Sequence, residues 1–427
     1  MKQFIFEQYH FDVVSGQAHF TYRFDGGRVF EEVVSFTTQN ETYDTTTLDK
    51  ALFLAFIIIG TSYFKTFPTS NISFQMGEID AWQAHFLNKV YNEGLSQFAF
   101  ENNLQPSDLA SFKALTDKAP APTSYEGVGI IALQSGGKDS LLTAALLRST
   151  DTPFVPWYVS SSGHYPNVLD GLGEPLIVAT RRIDASALQQ ATAAGGKNGH
   201  VPVTYIIQSL ALIQSILLGK SEVLVSIAHE GEEPHAFIGD LPVTHQWSKT
   251  WQAEQLFSEY VTRYISPKLK IGSPLRGLSE LKVAELFVRH AWTSYGHRFS
   301  SCNRANYGQG SDNTELQWCG ECPKCANSFL LFAPFVSADE LTQLFGGQDL
   351  FNNPMLQETF KGLLGIDGVM KPFECIGEID ELRYAYHAVP TESGYKKLSF
   401  DVPSSNFVYE TVYPSQDWAR FSDDLLQ

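Results

Sequence analysis

Six consecutive residues, Ser135-Gly136-Gly137-Lys138-Asp139-Ser140, concentrate more chemistry than any other stretch of the chain, and they directly follow the apolar run Val128-Gly129-Ile130-Ile131-Ala132-Leu133. An apolar strand that breaks into two glycines and then opens a helix from Asp139 to Arg148 leaves backbone N–H groups without intrahelical acceptors. These groups converge on one spot with the helix dipole behind them, which suits a phosphate. Glycine lets the backbone approach closely, Ser135 and Ser140 offer hydroxyl donors, Lys138 brings positive charge, and Asp139 suits a magnesium ion bridging phosphates. The spacing is neither the Gly-x-x-x-x-Gly-Lys-Ser of a Walker loop nor the Gly-x-Gly-x-x-Gly of a dinucleotide fold.

A second cluster is built from sulfur. Cys319, Cys322 and Cys325 in Cys319-Gly320-Glu321-Cys322-Pro323-Lys324-Cys325 recur at two-residue gaps, a spacing that wraps a tight knuckle around one tetrahedral zinc. Cys302, upstream in Ser300-Ser301-Cys302-Asn303-Arg304, is the candidate fourth ligand. Four thiolates close the shell to water and make such a site structural. Cys375, in Lys371-Pro372-Phe373-Glu374-Cys375, is not needed for the metal; it reads either as a small buried hydrophobe or as a reactive thiol.

The elements that position these groups can be read from pattern. Residues 4–13, 18–24 and 29–36 alternate as three strands separated by Ser15-Gly16 and Asp25-Gly26-Gly27, an antiparallel meander. Helical periodicity runs through 47–64 and 80–102, and 117–123 reads as a linker. From Val128 the order is strand, loop and helix to Arg148, strands 153–160 and 174–180, helices 184–193 and 205–218, strand 222–228, then helices 248–265 and 279–290. That order predicts a parallel α/β sheet with helices on both faces. Three units are expected: an α+β domain over 1–118, a pyrophosphate-loop ATP-binding domain with the zinc knuckle over 125–335, and a small extension over 336–427 with an irregular tail from Lys371.

Composition narrows the partners. The 427 residues carry a formal net charge of −17, which disfavours tRNA or DNA because polyanion binding rests on a basic, counterion-releasing surface. A nucleotide sugar needs only a local basic cluster, for which Arg181-Arg182 and Lys268 with Lys270 are candidates beside ordinary solvated charge. The most apolar run, Ala51 to Ile59, falls short of the ~20 residues of a membrane span. Met1 to Glu7 alternates like a strand instead of forming a signal peptide, so a cytoplasmic protein without a membrane partner is expected.

The hexapeptide resembles the SGGxDS pyrophosphate loop of the N-type ATP pyrophosphatases, and the late cysteine cluster is similar to the zinc site of deazaguanine synthases in that superfamily. Further segments narrow the resemblance: Gly195-Gly196-Lys197-Asn198-Gly199-His200-Val201-Pro202, Thr244-His245-Gln246-Trp247-Ser248-Lys249, Ser273-Pro274-Leu275-Arg276-Gly277-Leu278-Ser279-Glu280, Trp318-Cys319, and Pro372-Phe373-Glu374-Cys375. Together these resemble the UDP-N-acetylmuramoyl-L-alanyl-L-glutamate epimerases, from the meander through Glu378. The sequence departs from that pattern at His229-Glu230-Gly231-Glu232-Glu233, where Asn-Glu and small polar residues are expected, so a site role for His229 stays open.

The resemblance implies an α/β fold with a parallel-sheet ATP-pyrophosphatase core of the adenine nucleotide α-hydrolase kind. It implies ATP, magnesium (Mg2+) and structural zinc (Zn2+) as cofactors. It also implies an isomerase that inverts the terminal L-glutamate of a UDP-muramoyl dipeptide through an acyl-adenylate, releasing AMP and pyrophosphate, in peptidoglycan precursor synthesis. Adenylation has a physical motive: beside an ionised carboxylate the α carbanion would place two negative charges together, whereas a mixed anhydride yields a delocalised enolate. Candidate acid/base groups are Cys375, His200, His245 and Glu230, and Lys249 and Lys282 are candidate phosphate contacts or members of a solvated helix face. Two other readings fit the same loop: an amide- or nitrile-forming ligase resembling 7-cyano-7-deazaguanine synthase, and a nucleotide-sensing module without turnover.

Overall fold

The computed structural model describes residues 3–38, 43–307 and 314–416. The meander forms as its alternation requires. Strands β1 (Phe4–Asp12), β2 (Gln17–Phe24) and β3 (Arg28–Ser35) pair antiparallel, with Phe4 opposite Phe24 and Asp12 opposite Gln17. Their inward residues Phe4, Phe6, Phe20, Tyr22 and Phe30 are wholly buried beneath helix α1 (Thr45–Ile59), which Asp44 caps by accepting from the Thr46 and Thr47 amides. This helix runs on through Gly60 into Thr61–Phe64. The stretch Thr45–Phe64 is thus longer than the apolar run suggests and passes as a membrane span by length and composition, but 83% of its most apolar window is buried inside the protein.

The remaining strands are β4 (Ile72–Phe74), β5 (Ile130–Leu133), β6 (Phe154–Ser160), β7 (Ile177–Arg182), β8 (Glu222–Leu224), the hairpin β9 (Ala236–Ile238) and β10 (Leu241–Val243), and β11 (Lys270–Gly272). All but the hairpin join one nine-stranded sheet in the order β11-β8-β5-β6-β7-β3-β2-β1-β4. The first five are mutually parallel, and β3 attaches the meander by pairing antiparallel with β7. A single sheet therefore draws strands from both sides of the 118–125 stretch, where a boundary between separate domains is expected from sequence.

Alternation along the parallel strands sends neighbouring residues to opposite faces. Ile131, Trp157 and Val223 pack in one core with α1 and with the helices Val203–Leu217 and Trp251–Tyr260. Ile130, Ala132, Phe154 and Leu224 pack in the other, under α2 (Lys138–Ser149), α3 (Glu280–His290) and α4 (Pro323–Phe332). The chain winds outward through β5, β6 and β7, then returns to the other side of β5 as β8 and β11. The strand order thus reverses between β5 and β8, and ligands of such sheets collect in the crevice beyond the carboxyl ends at that point.

Three expected elements differ. Strand 222–228 pairs in the sheet only as β8; beyond it the backbone is held by bonds from Val225 N–H to Gly272 O (3.1 Å) and from His229 N–H to Leu278 O (2.8 Å). The 248–265 stretch breaks where Thr250, in extended conformation, caps Trp251–Tyr260 and ends the single turn Trp247–Lys249. The tail expected to be irregular contains helix α5 (Ile379–Ala388) and folds back so that Tyr413 N–H donates to Gly277 O (3.0 Å). Residues 417–427 of that tail lie outside the described residues.

Candidate active site

The hexapeptide turns sharply where the sequence predicts. Gly136 sits at φ +79°, a backbone conformation that favours glycine, and a side chain there would also push against Leu316 Cδ1 at 2.5 Å. Gly137 precedes α2 and offers no side-chain cap, leaving the first-turn amides free of a side-chain acceptor. The two serines brace the loop: Ser135 N–H donates to Ser140 Oγ (3.1 Å), Gly137 N–H to Ser135 Oγ (3.3 Å), and Ser140 Oγ–H to Gly137 O (3.2 Å).

Lys138 is buried, and its ammonium lies 2.8 Å from Asp139 Oδ1 and 2.6 Å from Glu280 Oε2. Burial opposes its charge, but these two carboxylates hold its pKa above the ordinary lysine range. Glu280, from the first turn of α3, is pushed up to about 7, chiefly by burial against the opposing pull of Lys138, with Asp139 and Glu230 raising it further. Next to them Lys249 Nζ meets Glu230 at 3.3 and 3.2 Å. Burial again opposes the ammonium, and Cys375, Glu230, Asp139 and Glu280 together raise it. One charged cluster thus gathers Lys138, Asp139, Glu280, Lys249, Glu230 and the half-buried, non-disulfide Cys375 beyond the carboxyl ends of β5 and β8.

The candidate histidines flank this cluster. His245 is buried, its Nδ1 lies 2.7 Å from Gln97 Oε1, and its pKa falls to about 4 through burial, with Glu374, Lys324, Lys249 and Glu230 also acting on it. His200 lies behind it, ring centroids 5.0 Å apart, and falls to about 3 through burial, His245 and Lys65. His229 faces another way: its ring stacks on Tyr413 at 3.5 Å, and Nε2 lies 3.6 Å from Glu378 Oε1.

Arg276 fixes the backbone beneath the cluster. Wholly buried, it donates from Nε to Glu254 (2.8 Å) and from Nη1 to the carbonyls of Ala228 (2.8 Å) and Lys249 (2.9 Å). Those carbonyls lie at the root of Glu230 and on Lys249 itself.

The four cysteines come together as their spacing predicts. Their sulfurs all lie within 4.8 Å of one another, with Cys302–Cys322 at 3.6 Å, Cys319–Cys325 at 3.7 Å and Cys322–Cys325 at 3.5 Å. A zinc–sulfur bond of ~2.3 Å in a tetrahedron spaces sulfurs about 3.8 Å apart, so the residues fit that metal. The knuckle also touches the site on two sides. Ser300 N–H donates to Gly136 O (3.3 Å), while Asn303 Nδ2 donates to Glu374 (3.2 Å) and Gly377 N–H to Asn327 (3.0 Å), steadying the Cys375 loop.

Three expected contacts fall elsewhere. Lys282 points away from the phosphate loop, pairing with Glu285 at 2.8 Å over the Tyr409 ring. Arg181 is consumed by Glu32 (2.6 and 3.1 Å) at the β3–β7 seam, and Lys268 pairs with Glu126, so neither Arg181 nor Lys268 joins the site. Conversely, Glu280, Arg276 and Glu374 enter the sequence reading only as members of the segments that carry the resemblance, with no role of their own, and Gln97 carries no local signal at all.

The family models described as the MurL N-terminal domain and the MurL C-terminal domain match residues 1–273 and 298–402. The chain belongs to the MurL family. A curated MurL relative from Salinispora tropica is 32% identical over 426 residues, covering 98% of this chain and 90% of its own length. Another from Xanthomonas oryzae pv. oryzae is 32% identical over 391 residues (90% and 85%), and one from Micromonospora sp. is 32% identical over 429 residues (98% and 92%). All three are named UDP-N-acetyl-alpha-D-muramoyl-L-alanyl-L-glutamate epimerase.

Proposed function

We propose that this chain is an epimerase that inverts the terminal L-glutamate of a UDP-N-acetylmuramoyl-L-alanyl-L-glutamate substrate, consuming ATP, in cytoplasmic peptidoglycan precursor synthesis. The observation that carries the reading is the cluster at the strand-order reversal, where the Ser135–Ser140 turn adjoins a thiol, an amine and carboxylates. Its MurL relatives bear the corresponding name over nearly their whole length.

The turn's free amides, with Ser135, Ser140 and Lys138, bind the β and γ phosphates of ATP. Magnesium, held by Asp139, would neutralise phosphate charge. The α-carboxylate oxygen of the terminal glutamate attacks the α phosphorus, and the bond to the β-bridging oxygen breaks to release pyrophosphate. With that carboxylate masked, a base takes the α proton, leaving the electron pair delocalised as an enolate, and an acid on the opposite face returns a proton to the carbon. Water then cleaves the acyl–oxygen bond, leaving a terminal D-glutamyl residue on the nucleotide substrate and releasing AMP. Cys375 and His245 are the two acid/base groups: the thiol lies beside the Lys249 ammonium, and the neutral imidazole retains a basic nitrogen. Glu230 holds Lys249, and His200 backs His245. The four cysteines hold zinc as a structural ion.

The test is incubation with ATP, magnesium and the dipeptide nucleotide in heavy water. D-glutamate carrying deuterium at the α carbon, with AMP and pyrophosphate formed only when the nucleotide is present, is expected. Glutamate that stays wholly L while ATP is consumed would overturn the reading in favour of a ligase.

A further inference from the structure

A histidine that removes a proton from carbon must present a bare nitrogen, so the tautomer of His245 matters as much as its position. Two neighbouring side chains on the helix Ser96–Glu101 settle it by hydrogen-bond logic. Gln97 Nε2 lies 2.7 Å from Glu101 Oε1, and a carboxylate oxygen there can only accept, so the Gln97 amide is oriented with Nε2 toward Glu101. Its carbonyl oxygen is therefore the atom 2.7 Å from His245 Nδ1. A carbonyl oxygen also only accepts, so Nδ1 carries the hydrogen and donates. In a neutral imidazole the other nitrogen is then a bare lone pair.

That lone pair is unspent. Among the described residues His245 Nε2 is buried without a hydrogen-bond partner, although the residue is only 9% exposed. A buried acceptor left this way has lost its hydration, and a ligand atom that meets it would restore the missing bond. The groups acting on His245 are Glu374, Lys324, Lys249 and Glu230, with the rings of His200 and His235 beside it at 5.0 and 6.4 Å. None of these makes a hydrogen bond to Nε2, and burial keeps the ring neutral.

We propose that Gln97 and Glu101 are positioning residues that hold the proton of His245 on Nδ1, so that Nε2 presents a lone pair to the α hydrogen of the substrate's terminal residue. The assignment rests on the acid/base role given to His245 above. A carboxylate in place of Gln97 would favour the imidazolium; the amide fixes the tautomer without adding charge, and so leaves the ring a base at neutral pH.

Nitrogen-15 NMR of the histidine side chains in the full-length protein tests the tautomer directly, with His245→Gln identifying the signal. Nδ1 protonated and Nε2 bare at pH 7 is expected, and the reverse pattern overturns the proposal whatever the activity. Gln97→Leu should release the tautomer and lower kcat for inversion on the order of 10²-fold, with KM and pyrophosphate release little changed. Gln97→Glu should move the acidic limb of the kcat–pH profile to higher pH. Inversion in Gln97→Leu at the wild-type rate refutes the positioning role. Undiminished inversion by His245→Gln refutes the acid/base role itself, a failure the tautomer measurement keeps separate.

Discussion

Replacing Arg276 by methionine is the severest single test of how the site is built. The guanidinium is wholly buried and makes three bonds, to Glu254 at 2.8 Å and to the carbonyls of Ala228 and Lys249 at 2.8 and 2.9 Å. Removing one partner of a buried ion pair costs about 3–5 kcal/mol, because the remaining charge is stranded. Some of this is offset. Burial already holds the Glu254 carboxyl above the usual carboxylate range, so it can take up a proton, and Ser273 N–H (3.3 Å) and Gln416 Nε2 (3.2 Å) still donate to it. The expected loss in Arg276→Met is therefore about 3–4 kcal/mol, read as a lower urea midpoint at unchanged slope. Adding Glu254→Leu removes the stranded charge and should restore more than half of the stability, since apolar replacement of a buried pair is often near neutral. Inversion should stay depressed on the order of 10²-fold in the double variant, because the Arg276 bonds to the carbonyls of Ala228 and Lys249 are still missing. A single variant within about 1 kcal/mol of wild type, or a double variant with full turnover, would show that Arg276 does not organise the site.

Other expectations are independent of that one. Asp139→Asn should keep the fold by circular dichroism but slow AMP and pyrophosphate formation on the order of 10²-fold; ADP and orthophosphate as products would contradict the assigned role of the loop. Cys322→Ser should lose its zinc by elemental analysis and much of its stability, since structural zinc contributes folding free energy, whereas Cys375→Ser should keep the metal; a folded, fully active, metal-free protein contradicts the site. Burial, with Glu381 and Glu233 adding, pushes Glu378 up from 4.5 to about 7, so the folded protein binds this proton more tightly than the unfolded chain. Its destabilising effect is then absent below the unfolded value, grows as pH rises toward 7 and is complete above it, so Glu378→Gln should be more stable than wild type at pH 8 and equal to it at pH 4. Urea midpoints at the two pH values check the sign.

Local signals were legible where one short segment suffices to make the feature. The phosphate turn is a strand, two glycines and a helix start in sequence, and the knuckle is mostly a seven-residue run, so both could be read before any fold was known. The meander was equally plain because period-two burial of Phe4, Phe6, Phe20 and Tyr22 repeats over three strands. Its attachment was not, because strand pairing between Val33–Ser35 and Thr180–Arg182 joins residues far apart in sequence. The same distance hid the Lys138–Glu280 pair, and in Arg276–Glu254 both members are common residue types with unremarkable neighbours. For Lys282 the sequence leaves a phosphate contact and a helix-face role both open, because chain proximity to Glu280 does not reveal that it sits on another face of α3, paired with Glu285.

The way the meander joins the parallel strands also governs how the molecule meets its own kind. The two outermost strands, β11 and β4, are three residues each, too short to template much pairing with another chain. Along the six-residue β7, β3 covers the edge at Thr180–Arg182, and Glu32 reaches across to Arg181. A fragment cut at the Pro-rich 117–123 stretch would bare that edge and strand a guanidinium made to be buried. Such a fragment should self-associate through β7, seen as a concentration-dependent mass in sedimentation, whereas in the intact chain Thr180–Arg182 stay paired with β3.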